Sequence, residues 1–252
     1  MELLAGRNSV HEALRAGRRQ IRRVLVAQGA QERGTLAELV AAAAARRVPV
    51  EYVDRGQLDR AAGDLHHQGV LAEVTPYPYV DLSEMVLLAQ QRQEHPFLLA
   101  LDAVQDPQNV GTLLRTAEVV GVHGVLLPSR RAAHITPAVS RASAGAVEHL
   151  LVGQVTNLVR ALDDLKSAGV WVVGVEAHPQ AVDYASADLN MPLVLVLGSE
   201  GAGMHRLVAE HCDLLLQLPM RGQINSLNVA VAGSVLLYHA WMARRGANTL
   251  GL

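Results

Sequence analysis

Asn109 and Arg115 stand six residues apart in Asp106-Pro-Gln-Asn-Val-Gly-Thr-Leu-Leu-Arg115, and both are of types that handle polar ligands. A carboxamide donates and accepts at once, while a guanidinium presents a rigid fork of donors. Two later segments have the same character. Gly198-Ser-Glu-Gly-Ala-Gly203 holds the carboxylate of Glu200 between glycines, which permit positive φ and close approach of the backbone to a ligand. Ser226-Leu-Asn228 adds a hydroxyl and a second carboxamide. Such groups suit the binding of a polar ligand by hydrogen bonds.

Other chemistries find less support. The glycine order is G-x-x-G-x-G, late in the chain, and no acidic residue follows an early strand–helix turn at ribose-binding distance, which disfavours NAD. No Gly-Lys-Ser or Gly-Lys-Thr marks a P-loop. Ser199 lacks a G-x-S-x-G elbow, and Cys212, the one cysteine, has no activating neighbours. The eleven histidines include no H-E-x-x-H, so no metal is expected. A single cysteine also rules out an intrachain disulfide.

The surrounding pattern places these segments on strand–loop–helix units. Phe97–Leu101 is an apolar run of strand length broken by Asp106-Pro107. Asn109 reads as the N-cap of a helix whose Val110, Leu113, Leu114 and Ala117 recur at helical spacing, closed by Gly121 as C′. Arg115 falls on the opposite face. By itself this segment fits a capped surface helix as well as a ligand site at the mouth of an open sheet. Further apolar runs at 122–127, 149–155, 170–175, 193–197 and 214–218 alternate with helical stretches, 157–168 the clearest, which predicts a parallel sheet covered on both faces. Ser226 is the expected N-cap of the last helix, and Asn228 falls in its first turn. Ala230, Ala232, Gly233 and Ser234 make that helix small-sided, so another backbone can approach it.

Residues 1–72 alternate short helices and strands: a helix at 9–16, strands at 21–27 and 48–53, an alanine-rich helix at 36–47, and a strand at 70–74. Thr75-Pro-Tyr-Pro-Tyr79 reads as extended linker, with a polar helix at 82–94 leading into the second unit. The expected division is 1–74, a linker at 75–95, and 96–252. Net charge is −2, yet residues 1–72 carry eleven arginines against eight acidic residues. Arg7, Arg15, Arg18, Arg19, Arg22 and Arg23 crowd the N-terminus, a footprint of phosphate contact or a solvated face. Lysine is nearly absent, so the arginine preference is equally a matter of overall composition. The first seventeen residues lack the apolar region of a secretory signal and no run is long enough to span a membrane, so a cytoplasmic location is expected.

Taken together, Asn109-x-Gly111-x-x-x-Arg115, Leu197-Gly-Ser-Glu-Gly201, and Pro219-Met through Ser226-Leu-Asn-Val229 resemble the three motifs of the SpoU class of RNA ribose methyltransferases. Ser143-Ala-Gly-Ala146 and Gly169-Val-Trp-Val-Val-Gly174 look like this family too. The opening Gly6-Arg-Asn-Ser-Val-His-Glu-Ala-Leu14 resembles the subgroup that methylates a guanosine in bacterial large-subunit (23S) ribosomal RNA. Asn225 and Ala230 stand where relatives often carry serine.

The resemblance implies an α/β fold with a C-terminal trefoil-knotted domain, which general rules of chain topology would not have suggested. It implies a small ribosomal-protein-like RNA-binding domain at the N-terminus, with Arg7, Arg18, Arg19, Arg22 and Arg23 as RNA contacts. It implies a homodimer acting on ribosomal RNA, and S-adenosyl-L-methionine as cofactor, held by backbone groups at Val175, Gly198, Leu218, Met220 and Leu227. The catalytic set becomes Arg115, Asn109, Glu200, Ser226 and Asn228. Family practice has Arg115 activate the 2′-hydroxyl; because a guanidinium stays protonated, its pKa exceeding ~12, an anchoring or alkoxide-stabilising role is preferred. A transfer-RNA ribose methyltransferase shares the motifs, an antibiotic self-protection enzyme shares the architecture, and a noncatalytic ribosome-assembly factor is the alternative from another class.

Overall fold

The computed structural model describes residues 1–130 and 132–249, of which 246–249 are described in backbone only. The chain forms two compact units: residues 1–78 with 135–149, and residues 79–134 with 150 onward.

In the first unit, β1 (Glu2–Ala5), β2 (Ile21–Ala27), β3 (Val50–Val53) and β4 (Val70–Val74) form a mixed sheet in the order β1-β4-β2-β3. Only β2 and β3 run parallel. The helices are α1 (Arg7–Ala16), α2 (Thr35–Ala45) and α3 (Arg55–Ala62). Strand alternation decides what each covers. Val24 and Val26 face Leu14, Leu36 and Leu39 of α1 and α2, while Leu25 and Ala27 face Leu58 and Ala62 of α3. Strand β1 and helix α3 were not legible as elements. The first is four residues long, and the second has little apolar surface beyond its two buried positions.

The second unit begins with α4 (Leu82–Gln91), whose Met85 and Ala89 are buried, so much of the 75–95 stretch belongs to a core. In chain order there follow β5 (Phe97–Leu101), α5 (Pro107–Val119), β6 (Gly124–Pro128), then α6 (Pro137–Ala142), which belongs to the first unit, and, back in the second, β7 (Val152–Val155), α7 (Leu158–Ser167) and β8 (Trp171–Val175). The last elements are β9 (Val182–Asp183), β10 (Leu193–Leu197), α8 (Arg206–Glu210), β11 (Leu214–Gln217) and α9 (Val229–Thr249). Among the described residues, seven strands paired in parallel lie in the order β7-β6-β5-β10-β8-β11-β9. β5 and β10 are buried at all five positions, as strands covered on both faces must be. One face packs against α4, α7 and α8 through Met85, Leu162, Leu165 and Val208. On the other, Gly233 of α9 sits so close to Leu197 and Leu113 that a Cβ there would overlap both. Thr116 Oγ1 and Ser234 Oγ lie 2.8 Å apart in the same contact. The small side of α9 thus serves packing within the chain.

Helix α6 and the 3₁₀ turn Ala146–His149 join the first unit, although the sequence around them reads as part of the second. Glu148 and Arg19 explain the attachment. Their side chains are 1% and 2% exposed, with Arg19 Nε 3.0 Å from Glu148 Oε2. The N–H is poorly aimed along that line, so the contact is an ion pair more than a directed hydrogen bond. Ser140 Oγ donates to Glu148, and Tyr77 Oη donates to the carbonyl of Val147. Burial pushes the Glu148 carboxyl upward, against the pull of Arg19. Among the described residues, no helix is long and apolar enough to cross a membrane.

Candidate active site

The loops after β5, β10 and β11 carry the polar residues, and each is tied down by a different local device. Asp106 caps α5: its carboxylate accepts from Gln108 N at 3.3 Å and Asn109 N at 3.2 Å, and Pro107 takes the first helical position. Asn109 is therefore not the cap expected of it. It lies inside the first turn, buried, with its side chain free for another partner. Gly121, at φ 76°, closes the helix as expected.

After β10, Ser199 and Gly203 exchange backbone hydrogen bonds at 2.9 and 3.0 Å, which folds the glycine loop into a tight ring with Glu200 exposed at its tip. Any side chain at Gly198 would overlap the backbone of Gly203 and Met204, so this turn requires glycine there. Asp102, buried at the end of β5, holds the far side of the loop. Its carboxylate accepts from His205 N at 2.6 Å and lies 2.8 Å from His205 Nδ1. The sequence patterns singled out neither Asp102 nor His205, since a lone acid beyond a strand carries no periodic signal. Asp106 was legible only as a strand breaker, though an Asx residue before proline is also a helix-start signal.

Asn228 brings the loops together. Its Nδ2 donates to Asn109 Oδ1 at 2.9 Å and to Glu200 Oε1. Its Oδ1 accepts from Ala230 N at 2.9 Å and Val231 N at 3.2 Å, so Asn228, not Ser226, is the N-cap of α9. Those two bonds assign the amide orientation, because the opposite flip would turn Nδ2 toward two backbone N–H groups. Three of the five expected catalytic residues thus form one hydrogen-bonded cluster.

The other two are nearby in sequence and not in contact. Ser226 is exposed in the loop before α9. Arg115 is exposed on α5, about 9 Å along the axis from Asn109 at 1.5 Å per residue, and makes no hydrogen bond or ion pair with a described residue. Val175 ends β8, Gly198 follows β10, and Leu218, Met220 and Leu227 lie in the loop after β11. The three strands are neighbours in the sheet, so the five positions share its carboxyl edge. The backbone of residues 218–227 makes no backbone hydrogen bond with a described residue. Unpaired backbone donors and acceptors beside a glycine loop are what an adenosyl group needs, and the residues fit such a ligand.

The arginines of the first unit are largely committed. Arg19 is buried against Glu148 and Glu2, which takes it out of reach of a ligand. Arg18 donates to Tyr77 Oη at 2.9 Å and Pro78 O at 3.1 Å. Arg23 pairs with Glu73 and Glu51, and the Glu73 hydrogen bond raises its pKa. Arg7 donates to Gln68 O at 3.3 Å, and the exposed Arg22 lies 3.4 Å from Glu73. Among the described residues, no group of three or more His, Cys, Asp or Glu is placed to hold a metal.

The three-motif cluster on a seven-stranded parallel sheet coincides with a known family model. Residues 96–238 match the SpoU rRNA Methylase family. The chain belongs to that family. Ahead of the SpoU domain, residues 3–80 match the RNA 2′-O ribose methyltransferase substrate-binding domain, and the protein is an RNA 2′-O-ribose methyltransferase of the TrmH type. YacO of Bacillus subtilis (strain 168), named for the TrmH family of tRNA/rRNA methyltransferases, is 41% identical over 96% of both chains. An AdoMet-bound rRNA methyltransferase from Sinorhizobium meliloti is 27% identical, with TM-score 0.75 over 97% of this chain and 87% of that one. The A. aeolicus TrmH/SpoU tRNA modifying enzyme is 26% identical, with TM-score 0.56 over 66% of this chain and 87% of that one.

Proposed function

We propose that this SpoU protein uses S-adenosyl-L-methionine to methylate the ribose 2′-hydroxyl of a guanosine in 23S ribosomal RNA, in the cytoplasm. The observation that carries the reading is the Asn228 amide, which binds Asn109 and Glu200 while capping α9. It couples the loops after β5 and β10 to the start of the last helix. S-adenosylmethionine supplies an electrophilic methyl group on a sulfonium. The backbone of Val175, Gly198, Leu218, Met220 and Leu227 would hold it. Asn109, Glu200, Ser226 and Asn228 orient the ribose and the loops. Arg115, exposed and uncommitted, anchors a phosphate or stabilises the alkoxide that forms at the 2′-oxygen.

The first unit, residues 1–74 in essence, is read as the RNA-binding domain, with Arg7 and Arg22 the most available of the five arginines assigned to RNA contact. Ribosomal over transfer RNA is favoured by coverage: the rRNA relative spans nearly this whole chain, and the tRNA enzyme two thirds of it. We read the second unit as knotted. β10 inserts between β5 and β8, and α9 returns to pack on α5, which supports a threaded C-terminal segment. A homodimer is supported by an apolar stripe on α9: Val231, Val235, Tyr238 and Met242 are all exposed at helical spacing, with Val119 of α5 exposed as well.

The decisive experiment maps ribose methylation in 23S ribosomal and transfer RNA from a deletion strain carrying either the wild-type gene or none. Loss of one 23S guanosine mark, restored by the gene, is the expected result. A lost mark in transfer RNA reassigns the substrate, and unchanged methylation in both RNAs overturns the reading.

A further inference from the structure

A cavity of about 560 Å³ opens in the second unit where its strands begin. Phe97 starts β5, His123 precedes β6 and Asn190 precedes β10, and all three line it. Asn109, Glu200 and Asn228 follow the opposite strand ends, and five residues of strand span roughly 16 Å. The cavity is therefore distinct from the candidate active site, and its volume is that of a small-molecule site.

Arg244 forms part of its wall. The guanidinium lies over the Phe97 ring, 4.5 Å from its centroid, and donates to the carbonyls of His95 at 3.0 Å, Pro96 at 3.1 Å and Met191 at 2.5 Å. Its Nε is buried without a partner. Among the described residues no carboxylate pairs with it. Glu94, the negative charge that acts on it, is engaged by His123 Nε2 at 2.9 Å. His123 Nδ1 accepts from Phe97 N at 3.1 Å, so its single proton sits on Nε2, and burial lowers its pKa to keep the ring neutral. Burial without a counter-ion likewise draws Arg244 down to about 10. Buried cations are ordinarily paired, and an unpaired one is costly. This one faces a cavity that also bears Arg92 and Arg245, the latter 4.9 Å from the Trp241 ring centroid.

We propose that this cavity binds a nucleotide unit, its phosphate held by Arg92, Arg244 and Arg245 beside the Trp241 indole. The two carboxylates on the lining, Glu94 and Glu118, decide between a nucleotide and a bare anion. They would repel inorganic phosphate, but they accept hydrogen bonds from ribose hydroxyls and base amino groups, which a nucleotide supplies. Free nucleotides and an RNA strand carry the same chemistry. The site does not depend on the methyl-transfer reading.

Trp171 and Trp241 are the chain's two tryptophans, so Trp171→Phe leaves one indole as reporter. The full-length Trp171→Phe protein is titrated with GMP, with inorganic phosphate, and with a short single-stranded RNA. S-adenosylmethionine is added first, to occupy the candidate active site. A saturable change in Trp241 emission is expected with GMP, or with RNA alone if the source is a strand. Phosphate should bind at least tenfold more weakly. Removing the two outer cations in Arg92→Ala/Arg245→Ala should weaken nucleotide binding at least tenfold with unchanged AdoMet affinity. The proposal is overturned by no saturable change with any ligand, as when a second copy covers the cavity. It is equally overturned by phosphate binding as tightly as GMP, by competition from AdoMet, or by full affinity in the double variant.

Discussion

The side-chain amide of Asn228 donates to Oδ1 of Asn109 at 2.9 Å across 119 residues of sequence. The same side chain caps α9 through its other atom. One residue therefore has a structural task at Oδ1 and a site-building task at Nδ2, and substitutions can separate them. Asn228→Ser keeps a capping oxygen and removes the donor. It leaves the buried Asn109 Oδ1 without its amide partner, so it should cost about 1–3 kcal/mol of stability while losing most methyl transfer. Asn228→Ala removes both and should cost about 1 kcal/mol in addition. Urea unfolding beside a methyl-transfer assay reads the two losses, and full activity in Asn228→Ser would remove this amide from the site.

Arg115→Ala deletes an exposed side chain with no partner among the described residues, so stability should stay within about 0.5 kcal/mol. AdoMet affinity should be unchanged, because the positions assigned to the cofactor lie on other loops. Methyl transfer should be lost. Arg115→Lys should restore part of it if the group anchors a phosphate, since a point charge replaces a fork. Calorimetry with AdoMet and single-turnover methylation check both halves, and wild-type turnover in Arg115→Ala would sink the assignment.

The Arg19–Glu148 pair is buried on both sides, so removing one partner strands the other charge. Arg19→Met should destabilise the protein by about 3–5 kcal/mol, whereas Arg19→Met with Glu148→Leu should recover most of that loss. Equal destabilisation in the single and double variants would show that the ion pair is not what holds 135–149 to the first unit. Thermal denaturation of the three proteins decides it.

His123 is buried and neutral, its pKa pulled below the ordinary histidine value by desolvation. A depressed pKa contributes stability that is present above the unfolded value near 6.5 and lost as pH falls through the folded one. The wild type should therefore weaken between neutral pH and about pH 5 more steeply than His123→Gln. Unfolding midpoints across that range, compared as slopes, test the sign. Parallel slopes would mean that the ring does not charge on unfolding.

Local pattern was enough for much of the fold. Val24 and Val26 alternate with Leu25 and Ala27 because a strand turns successive side chains to opposite faces, and the continuous apolar runs of β5 and β10 announce strands covered on both sides. The caps were ambiguous for a local reason. Asp106 and Asn109 are both Asx residues at the start of the same helix, as Ser226 and Asn228 are both cap formers ahead of α9. Only the path of the backbone chose the earlier residue in one case and the later in the other.

What the sequence by itself determined is the set of parts: two α/β units, three polar loops after strands, and the family to which they belong. Tertiary structure alone decided which parts meet. Asn109, Glu200 and Asn228 share one amide because β10 pairs with β5 and α9 packs on α5, pairings that no local period encodes. Arg19 looked like a surface cation because charge density along a chain says nothing of a carboxylate brought from residue 148. Contacts between distant segments are set by burial and shape complementarity, and those exist only once the chain has folded.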